Sequence, residues 1–110
     1  VVLCSGKFYY DLLEGQQKKK IKDAAIVRLE QLHPFPEKQL NTVLKKYKNA
    51  KLVWAQEEPA NMGCLSYMQR MMPKQPFEFV ARKPSASPAT GYNKIHKIEQ
   101  DKLVNQAFEI

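Results

Sequence analysis

The chain has 110 residues, 44% of them hydrophobic, and a formal net charge of +7. This length predicts a single domain, 1–110, with one modest core, and no apolar run approaches the roughly 20 residues that cross a bilayer, so we expect a soluble protein without a membrane partner. The charge would suit nucleic acid, but the densest lysine segment, 18–22, lies between a helical pattern and a strand, where lysines complement a helix carboxyl end and stay solvated, so we expect no nucleic-acid partner.

Four apolar runs alternate along the chain with four helical patterns. The predicted strands cover 1–4, 24–29, 52–55 and 77–81, and the last two predicted helices cover about 64–72 and 94–108. Apolar runs of this length, bounded by turn residues and followed by helical patterns, are typical of parallel strands in an α/β layer. The order therefore predicts a three-layer α/β/α domain with a mostly parallel sheet of four to five strands and right-handed crossovers.

The turn after the first predicted strand consists of Ser5, Gly6 and Lys7. Ser5 is placed to cap the helix that follows, Gly6 allows a sharp backbone turn, and Lys7 adds a positive charge. A helix start of this kind can hold a phosphate, which makes these three residues a candidate anion-binding or regulatory site. The sequence lacks the established glycine patterns of phosphate-binding loops, so plain capping is favoured.

The second helical pattern carries its apolar residues on one face. They stand at i, i+3, i+4 and i+7, and they are Leu40, Val43, Leu44 and Tyr47. Such a stripe predicts a core-facing helix, and we expect it to share one core with Trp54 of the third strand. The methionines of the third helix are expected to fill gaps in the core rather than to form a binding surface.

Polar residues follow the predicted strands, including the third strand, which we expect to end near Gln56. The candidate interface residues are Glu30, Gln31, Glu57, Glu58, Arg82, Ser85 and Ser87. Parallel strands deliver such residues to one edge of a sheet, and the small residues of the loop 82–92 allow another backbone to approach. We therefore expect this edge to meet another domain or subunit. Reversing the charge of Glu57 or Arg82 should weaken assembly or activity without unfolding the domain.

The sequence shows no catalytic constellation. His33 and His96 have no partners at the spacings of nucleophilic or metal sites, and His96 with Glu99 predicts only a surface pair on the last helix. Cys4 and Cys64 lie in apolar settings, are too few for a disulfide framework and lack metal-ligand spacing. We expect reduced core thiols, which favours a cytosol-like compartment, and no catalytic, cofactor-binding or metal-binding residues.

Several strings in the chain nevertheless resemble a known family. They are, in order, CSGK (4–7) with YYDL (9–12), AIVRLEQL (25–32) with PFP (34–36), QEEP (56–59) with Asn61 and Gly63, and Arg82 with SASPATG (85–91). Together they closely resemble the C-terminal domain of 2-oxoglutarate dehydrogenase over the whole length of the chain. The resemblance implies a transketolase-like C-terminal domain, and we expect a fragment of a larger enzyme because Val1 already lies within a predicted strand.

The resemblance implies a chemistry that belongs to the whole enzyme. Upstream domains would bind thiamine diphosphate and magnesium, and the enzyme would decarboxylate 2-oxoglutarate and transfer the succinyl group to the lipoyl arm of dihydrolipoyl succinyltransferase in the citric acid cycle. The family's cofactor ligands and catalytic histidines lie upstream, so the fragment would bind no cofactor and would be inactive alone. The implied compartment is the cytoplasm, or the mitochondrial matrix in a eukaryote.

The resemblance also implies that this domain serves packing. Its partners would be the upstream domains and the second subunit of a homodimer, and in some relatives an acetyl-CoA effector, for which Ser5, Gly6 and Lys7 are the candidate residues here. Two alternatives stay open. A free-standing anion- or nucleotide-binding module would retain a phosphate ligand when isolated, and a basic interaction or RNA-binding domain would show salt-sensitive RNA affinity.

Overall fold

The computed structural model of the protein describes residues 1–87, 91 and 93–109, so part of the predicted loop, at 88–90 and 92, lies outside the described residues. Within them, strands and helices alternate as predicted. The strands are β1 (Val2–Cys4), β2 (Ile26–Arg28), β3 (Val53–Pro59) and β4 (Glu78–Arg82). The helices are α1 (Phe8–Lys18), α2 (Glu37–Lys46), α3 (Leu65–Met71) and α4 (Asn93–Glu109). The single-domain extent, 1–110, stays a prediction.

The described strands form one parallel sheet in the order β2-β1-β3-β4. Leu3 of β1 pairs with Val27 of β2 on one side and with Trp54 of β3 on the other. Trp54 pairs in turn with Phe79 of β4. Each strand reaches the next through a helix, which parallel pairing requires. The predicted α/β class with a mostly parallel sheet is confirmed.

Helices cover both faces of the sheet. On one face, the sheet with α1 and α4 encloses Val2, Cys4, Phe8, Leu12, Val53, Ala55, Val80, Leu103, Val104 and Ala107. On the other face, the sheet with α2 and α3 encloses Leu3, Leu29, Leu40, Leu52, Trp54, Leu65, Met68 and Met72. Strands that are buried on both faces need apolar residues at every position, which explains the continuous apolar runs of β1 and of the first three residues of β3.

Helices α1 and α4 lie side by side and approach closely at Gly15. A Cβ on Gly15 would clash with Cγ1 of Val104, so a larger residue here would push the helices apart. Lys19, just past the end of α1, hydrogen-bonds to Asn105 of α4. α1 runs away from the carboxyl ends of the strands. α4 lies beside it and runs in the same direction, so α4 ends at the amino edge of the sheet.

The core-facing stripe predicted on α2 is correct only in part. Leu40 is buried, and Leu44 packs against the cluster that contains Trp54. Tyr47 is 42% exposed, because α2 ends at Lys46 and Tyr47 has non-helical backbone angles of φ −124° and ψ 40°. The helical period no longer applies at Tyr47, and the prediction that Tyr47 faces the core is wrong.

Two other elements differ in detail from the sequence patterns. β3 continues past Ala55 as far as Pro59 instead of ending near Gln56. In α3 and its end, Met68 and Met72 are buried and Met71 is exposed. The expectation that these methionines fill the core is therefore confirmed for two of the three.

Truncation of Leu40 tests the assignment of α2 to the core. Leu40 is buried, whereas Leu44, four residues on, is half-buried. We expect Leu40→Ala to lower the free energy of unfolding by about 2–5 kcal/mol, because it leaves a cavity in a packed core, and Leu44→Ala to lower it less. Denaturant midpoints measure both changes. A midpoint for Leu40→Ala equal to that of the unsubstituted chain would place α2 outside the core.

Candidate interface at the carboxyl edge of the sheet

The turn between β1 and α1 depends on Gly6. Gly6 has φ +67°, in the left-handed region that favours glycine. The backbone N–H of Tyr9 donates to the carbonyl of Gly6 (3.3 Å), and the next N–H along the chain donates to the carbonyl of Lys7 (3.0 Å). These bonds use the donors that a cap would have satisfied. The prediction that Ser5 caps α1 is therefore wrong, since Lys7 precedes the helix and no side chain caps it.

Lys7 forms an ion pair with Glu57 in the middle of the edge. Its Nζ lies 2.7 Å from Oε1 of Glu57, and this hydrogen bond raises the pKa of Lys7. The helices that follow the neighbouring strands β1 and β3 cover opposite faces of the sheet, so the pair lies at the crevice where open α/β sheets bind ligands. An anion at Ser5, Gly6 and Lys7 would compete with Glu57. That candidate site stays a prediction.

The side-chain amide of Gln56 organises the turn that ends β3. Gln56 is 3% exposed. Its Oε1 accepts a hydrogen bond from Nε1 of Trp54 (2.9 Å), and its Nε2 donates to the carbonyls of Pro59 (3.0 Å) and Met62 (2.8 Å). A buried amide that is bonded through both its oxygen and its nitrogen fixes the backbone that it contacts. The turn therefore presents its side chains from a rigid backbone.

Gly63 closes the same turn against Glu58. Gly63 has φ +68°, and a Cβ there would lie 2.6 Å from Oε2 of Glu58 and 3.2 Å from Oε1 of Gln56. Glycine meets both the left-handed backbone and the close approach. The turn half-buries Glu58, whereas Glu57 binds Lys7. The two adjacent carboxylates therefore have different surroundings.

Asn61 ties this turn to the segment after β4. Its Nδ2 donates to the carbonyl of Ser85 (2.9 Å), and its Oδ1 accepts from the N–H of Ser85 (3.0 Å). The N–H of Ala60 donates to the carbonyl of Arg82 (2.8 Å), and the N–H of Ser87 donates to Oγ of Ser85 (3.1 Å). Ser85 and Ser87 are exposed. These two candidate interface residues thus lie on a segment whose backbone is held in place.

The guanidinium of Arg82 binds α4 inside the domain. The Arg82 side chain is 8% exposed, and Nη2 donates to Oε1 of Gln100 (2.9 Å) and to Nδ1 of His96 (3.1 Å). Because arginine can only donate, Nδ1 of His96 is the acceptor. Oε2 of Glu99 lies 3.4 Å from Nε of Arg82 but is not aligned for a hydrogen bond. Among the described residues, this buried Nε has no hydrogen-bond partner. Gln100 continues the network by donating to Oδ2 of Asp11 (2.8 Å).

This network changes the expected effect of substituting Arg82. A carboxylate in its place would face Glu99 and would leave the buried Gln100 without its donor. Breaking a buried charged contact destabilises the fold. We therefore expect charge reversal at Arg82 to destabilise the domain, contrary to the sequence-based expectation. The role of Arg82 as an interface residue stays a prediction.

Glu30 and Gln31 lie at the outer end of the edge, beyond β2, and both are exposed. Oε1 of Glu30 is 3.9 Å from Nη1 of Arg28. The Arg28 guanidinium lies 5.6 Å from the ring of Tyr9 and 5.3 Å from the ring of Tyr10. The structure places Glu30 and Gln31 at the same edge as the other candidate interface residues, but the ion-pair neighbour of Glu30 is Arg28 and not Lys7.

The described residues include potential metal-ligating side chains and two cysteines, one buried and one half-buried. Among residues 1–87, 91 and 93–109, no group of three or more His, Cys, Asp or Glu side chains could hold a metal ion. Burial raises the pKa of the Cys4 thiol to about 11 and also raises the pKa of Cys64. Both cysteines are free, as predicted, and thiols held neutral are poor nucleophiles. No helix in the same residues is long and apolar enough to cross a membrane.

Sequence reasoning missed the residues that hold the edge together. Gln56 and Asn61 had a signal, because both belong to the strings that carry the family resemblance. The hydrogen bond between Asp11 and Gln100 had no such signal in the sequence. These residues are 89 positions apart and meet only because α1 and α4 pack against each other.

The fold and the edge define a class of protein, an α/β domain with a parallel sheet whose charged and amide side chains gather at the carboxyl ends of the strands. The sequence profile of one family, described as 2-oxoglutarate dehydrogenase C-terminal, matches residues 1–108. The chain belongs to the 2-oxoglutarate dehydrogenase C-terminal family, and the resemblance seen in its sequence is confirmed.

Individual relatives of the chain support the same family assignment. The chain is 46% identical to the 2-oxoglutarate dehydrogenase E1 component of Coxiella burnetii and 44% identical to an oxoglutarate dehydrogenase of Buchnera aphidicola, with 100% of the chain covered in both. It is 40% identical to a probable 2-oxoadipate dehydrogenase complex component E1 homolog of Dictyostelium discoideum, with 98% of the chain covered. The chain spans 13% of the length of each of these relatives.

Removal of the Gln56 amide tests whether it holds the edge. Gln56→Leu would remove the acceptor of the Trp54 indole N–H and the side-chain donor to the Met62 carbonyl, so we expect the free energy of unfolding to fall by about 1–3 kcal/mol. Denaturant titrations measure the change, and Gln69→Leu, at an exposed position of α3, is the matched control. If the midpoint of Gln56→Leu equals that of Gln69→Leu, the amide is not needed for the turn.

Proposed function

We propose that the chain is the C-terminal domain of a 2-oxoglutarate dehydrogenase E1 component and that it serves packing between domains and subunits rather than the chemistry itself. The observation that carries the proposal is the family match over residues 1–108. Relatives that are 40–46% identical and much longer support it. A domain that makes up 13% of such a relative needs a surface that contacts the rest of the protein.

The activity proposed for the whole protein follows from its family. It would bind thiamine diphosphate and magnesium, decarboxylate 2-oxoglutarate and transfer the succinyl group to the lipoyl arm of dihydrolipoyl succinyltransferase, as an oxidoreductase of the citric acid cycle. The cofactors would bind to parts of the protein outside this chain, whose described residues offer no metal cluster. One relative is named for 2-oxoadipate, so this dicarboxylate is the substrate to compare.

The carboxyl edge is the surface that we assign to packing against the upstream domains or the second subunit. Its candidate residues Glu30, Gln31, Ser85 and Ser87 are exposed, and Glu57 and Glu58 are half-buried. The contacts of Gln56 and Asn61 fix the backbone of this edge before any partner arrives. Preorganisation of this kind lowers the conformational entropy that is lost on association. It therefore favours the edge over a flexible surface.

Acetyl-CoA regulation is a further proposal for the turn formed by Ser5, Gly6 and Lys7. A phosphate group would have to displace Glu57 from Lys7, whose side chain is 73% exposed. The Glu57 side chain is only 19% exposed, so the exchange would leave a half-buried carboxylate without its partner, a cost that the phosphate contacts would have to offset. The cytoplasm, or the mitochondrial matrix in a eukaryote, is likewise the proposed compartment. A free-standing anion-binding module or basic interaction domain has less support, because the relatives described above are longer dehydrogenase components.

Turnover assays test the division of labour between this chain and the rest of the protein. We expect the whole protein that carries the chain to convert 2-oxoglutarate when thiamine diphosphate, magnesium and dihydrolipoyl succinyltransferase are supplied. We expect residues 1–110 alone to give no turnover above a protein-free control. Turnover by residues 1–110 alone would contradict the packing role. Preference of the whole protein for 2-oxoadipate, or no turnover with either substrate, would contradict the proposed activity.

A further inference from the structure

A groove lies beside the carboxyl end of β4, between the segment after that strand and α4. Its volume is about 780 Å³, which is within the ~300–1,000 Å³ range of small-molecule sites. Pro59, Ala81 and Leu103 contribute apolar surface to its lining, and Arg82, Lys83 and Lys102 contribute cationic side chains. The groove therefore combines an apolar wall with positive charge.

The positive charge of the groove is only partly compensated. Among the described lining residues, Arg82, Lys83 and Lys102 face one carboxylate, that of Glu99. Glu99 lies 3.4 Å from Nε of Arg82 without forming a hydrogen bond to it. Lys83 and Lys102 are exposed and have no ion-pair partner among the described residues. The uncompensated charge favours an anion.

The cationic side of the groove is also fixed in advance. Arg82 cannot swing out freely, because Nη2 is bonded to His96 and Gln100 of α4. The backbone of Ser85, which also lines the groove, is held by Asn61. A ligand would therefore have to order only the two lysine side chains, which keeps the entropic cost of binding low.

We propose that the groove formed by Arg82, Lys83, Lys102 and the apolar residues Pro59, Ala81 and Leu103 binds a small organic anion. The oxyanion, a phosphate or a carboxylate, lies between the two lysines in the field of the Arg82 guanidinium. The apolar body of the ligand packs on the apolar wall. This proposal does not depend on the activity of the whole protein, and it concerns different residues from the turn at Ser5, Gly6 and Lys7.

Hydrogen-exchange mass spectrometry of the whole protein that carries this chain tests the proposal, because it reports binding at this groove separately from other anion sites. Inorganic phosphate and succinate are the probes, with sodium chloride at matched ionic strength as the blank. We expect at least one probe to protect the backbone amides of 82–87 and 99–106 at millimolar concentration. Protection by phosphate alone identifies a phosphate ligand, and protection by succinate alone identifies a carboxylate ligand.

Two double variants provide the matched comparison. Lys83→Ala with Lys102→Ala should raise the probe concentration for half protection at least about tenfold, because charged hydrogen bonds are lost. Lys45→Ala with Lys48→Ala removes the same charge from exposed positions in and beyond α2 and should leave protection unchanged. Both pairs are exposed, so unchanged denaturant midpoints are expected.

Any of four results would overturn the proposal. These are no protection by either probe, equal protection by sodium chloride, an unchanged half-protection concentration in the Lys83 and Lys102 variant, or an equal loss in the Lys45 and Lys48 variant. If neither probe protects and the Lys83 and Lys102 variant alters the sedimentation of the whole protein, the groove contacts an acidic protein segment instead of a small anion.

Discussion

Gln56 lies 3% exposed in the middle of β3, with its side-chain oxygen bonded to the Trp54 indole and its nitrogen bonded to the carbonyls of Pro59 and Met62. Because Trp54 is itself in the core, the amide connects the packed sheet to the polar edge. A buried amide has to keep its partners, so the backbone around it cannot rearrange without exposing or orphaning polar groups. This side chain therefore helps to hold the turn after β3, on which Asn61 lies.

A second buried contact connects the edge of the sheet to the helices. Arg82 leaves the end of β4 and binds Gln100 and His96 of α4, and Gln100 binds Asp11 of α1. The same arginine offers its carbonyl to the turn after β3. The edge and the α1–α4 layer are therefore joined through β4. An edge that is held from both the sheet and the helices is a fixed surface, which is what the proposed inter-domain contact with a low ordering cost requires.

The fold could be predicted because strands that are buried on both faces have continuous apolar runs, and β1 and the first three residues of β3 form such runs. Local rules failed where the backbone departed from regular geometry. The helical period misplaced Tyr47, which lies beyond the last turn of α2, and a turn at Gly6 replaced the expected Ser5 cap. The location of the edge followed from parallel pairing alone. The contacts of Arg82 did not, because they depend on where α4 packs, and no local pattern in the sequence encodes that packing.

The central claim is that the carboxyl edge joins this domain to the rest of its protein. Sedimentation of the whole protein with Glu57→Lys, compared with Glu109→Lys, tests the claim most directly. Glu109 is exposed at the end of α4, at the opposite edge of the sheet, and undergoes the same change of charge. We expect Glu57→Lys to weaken assembly, because it replaces the carboxylate that pairs with Lys7 by a second cation at this edge, and Glu109→Lys to leave assembly unchanged. Wild-type assembly in both variants would contradict the claim.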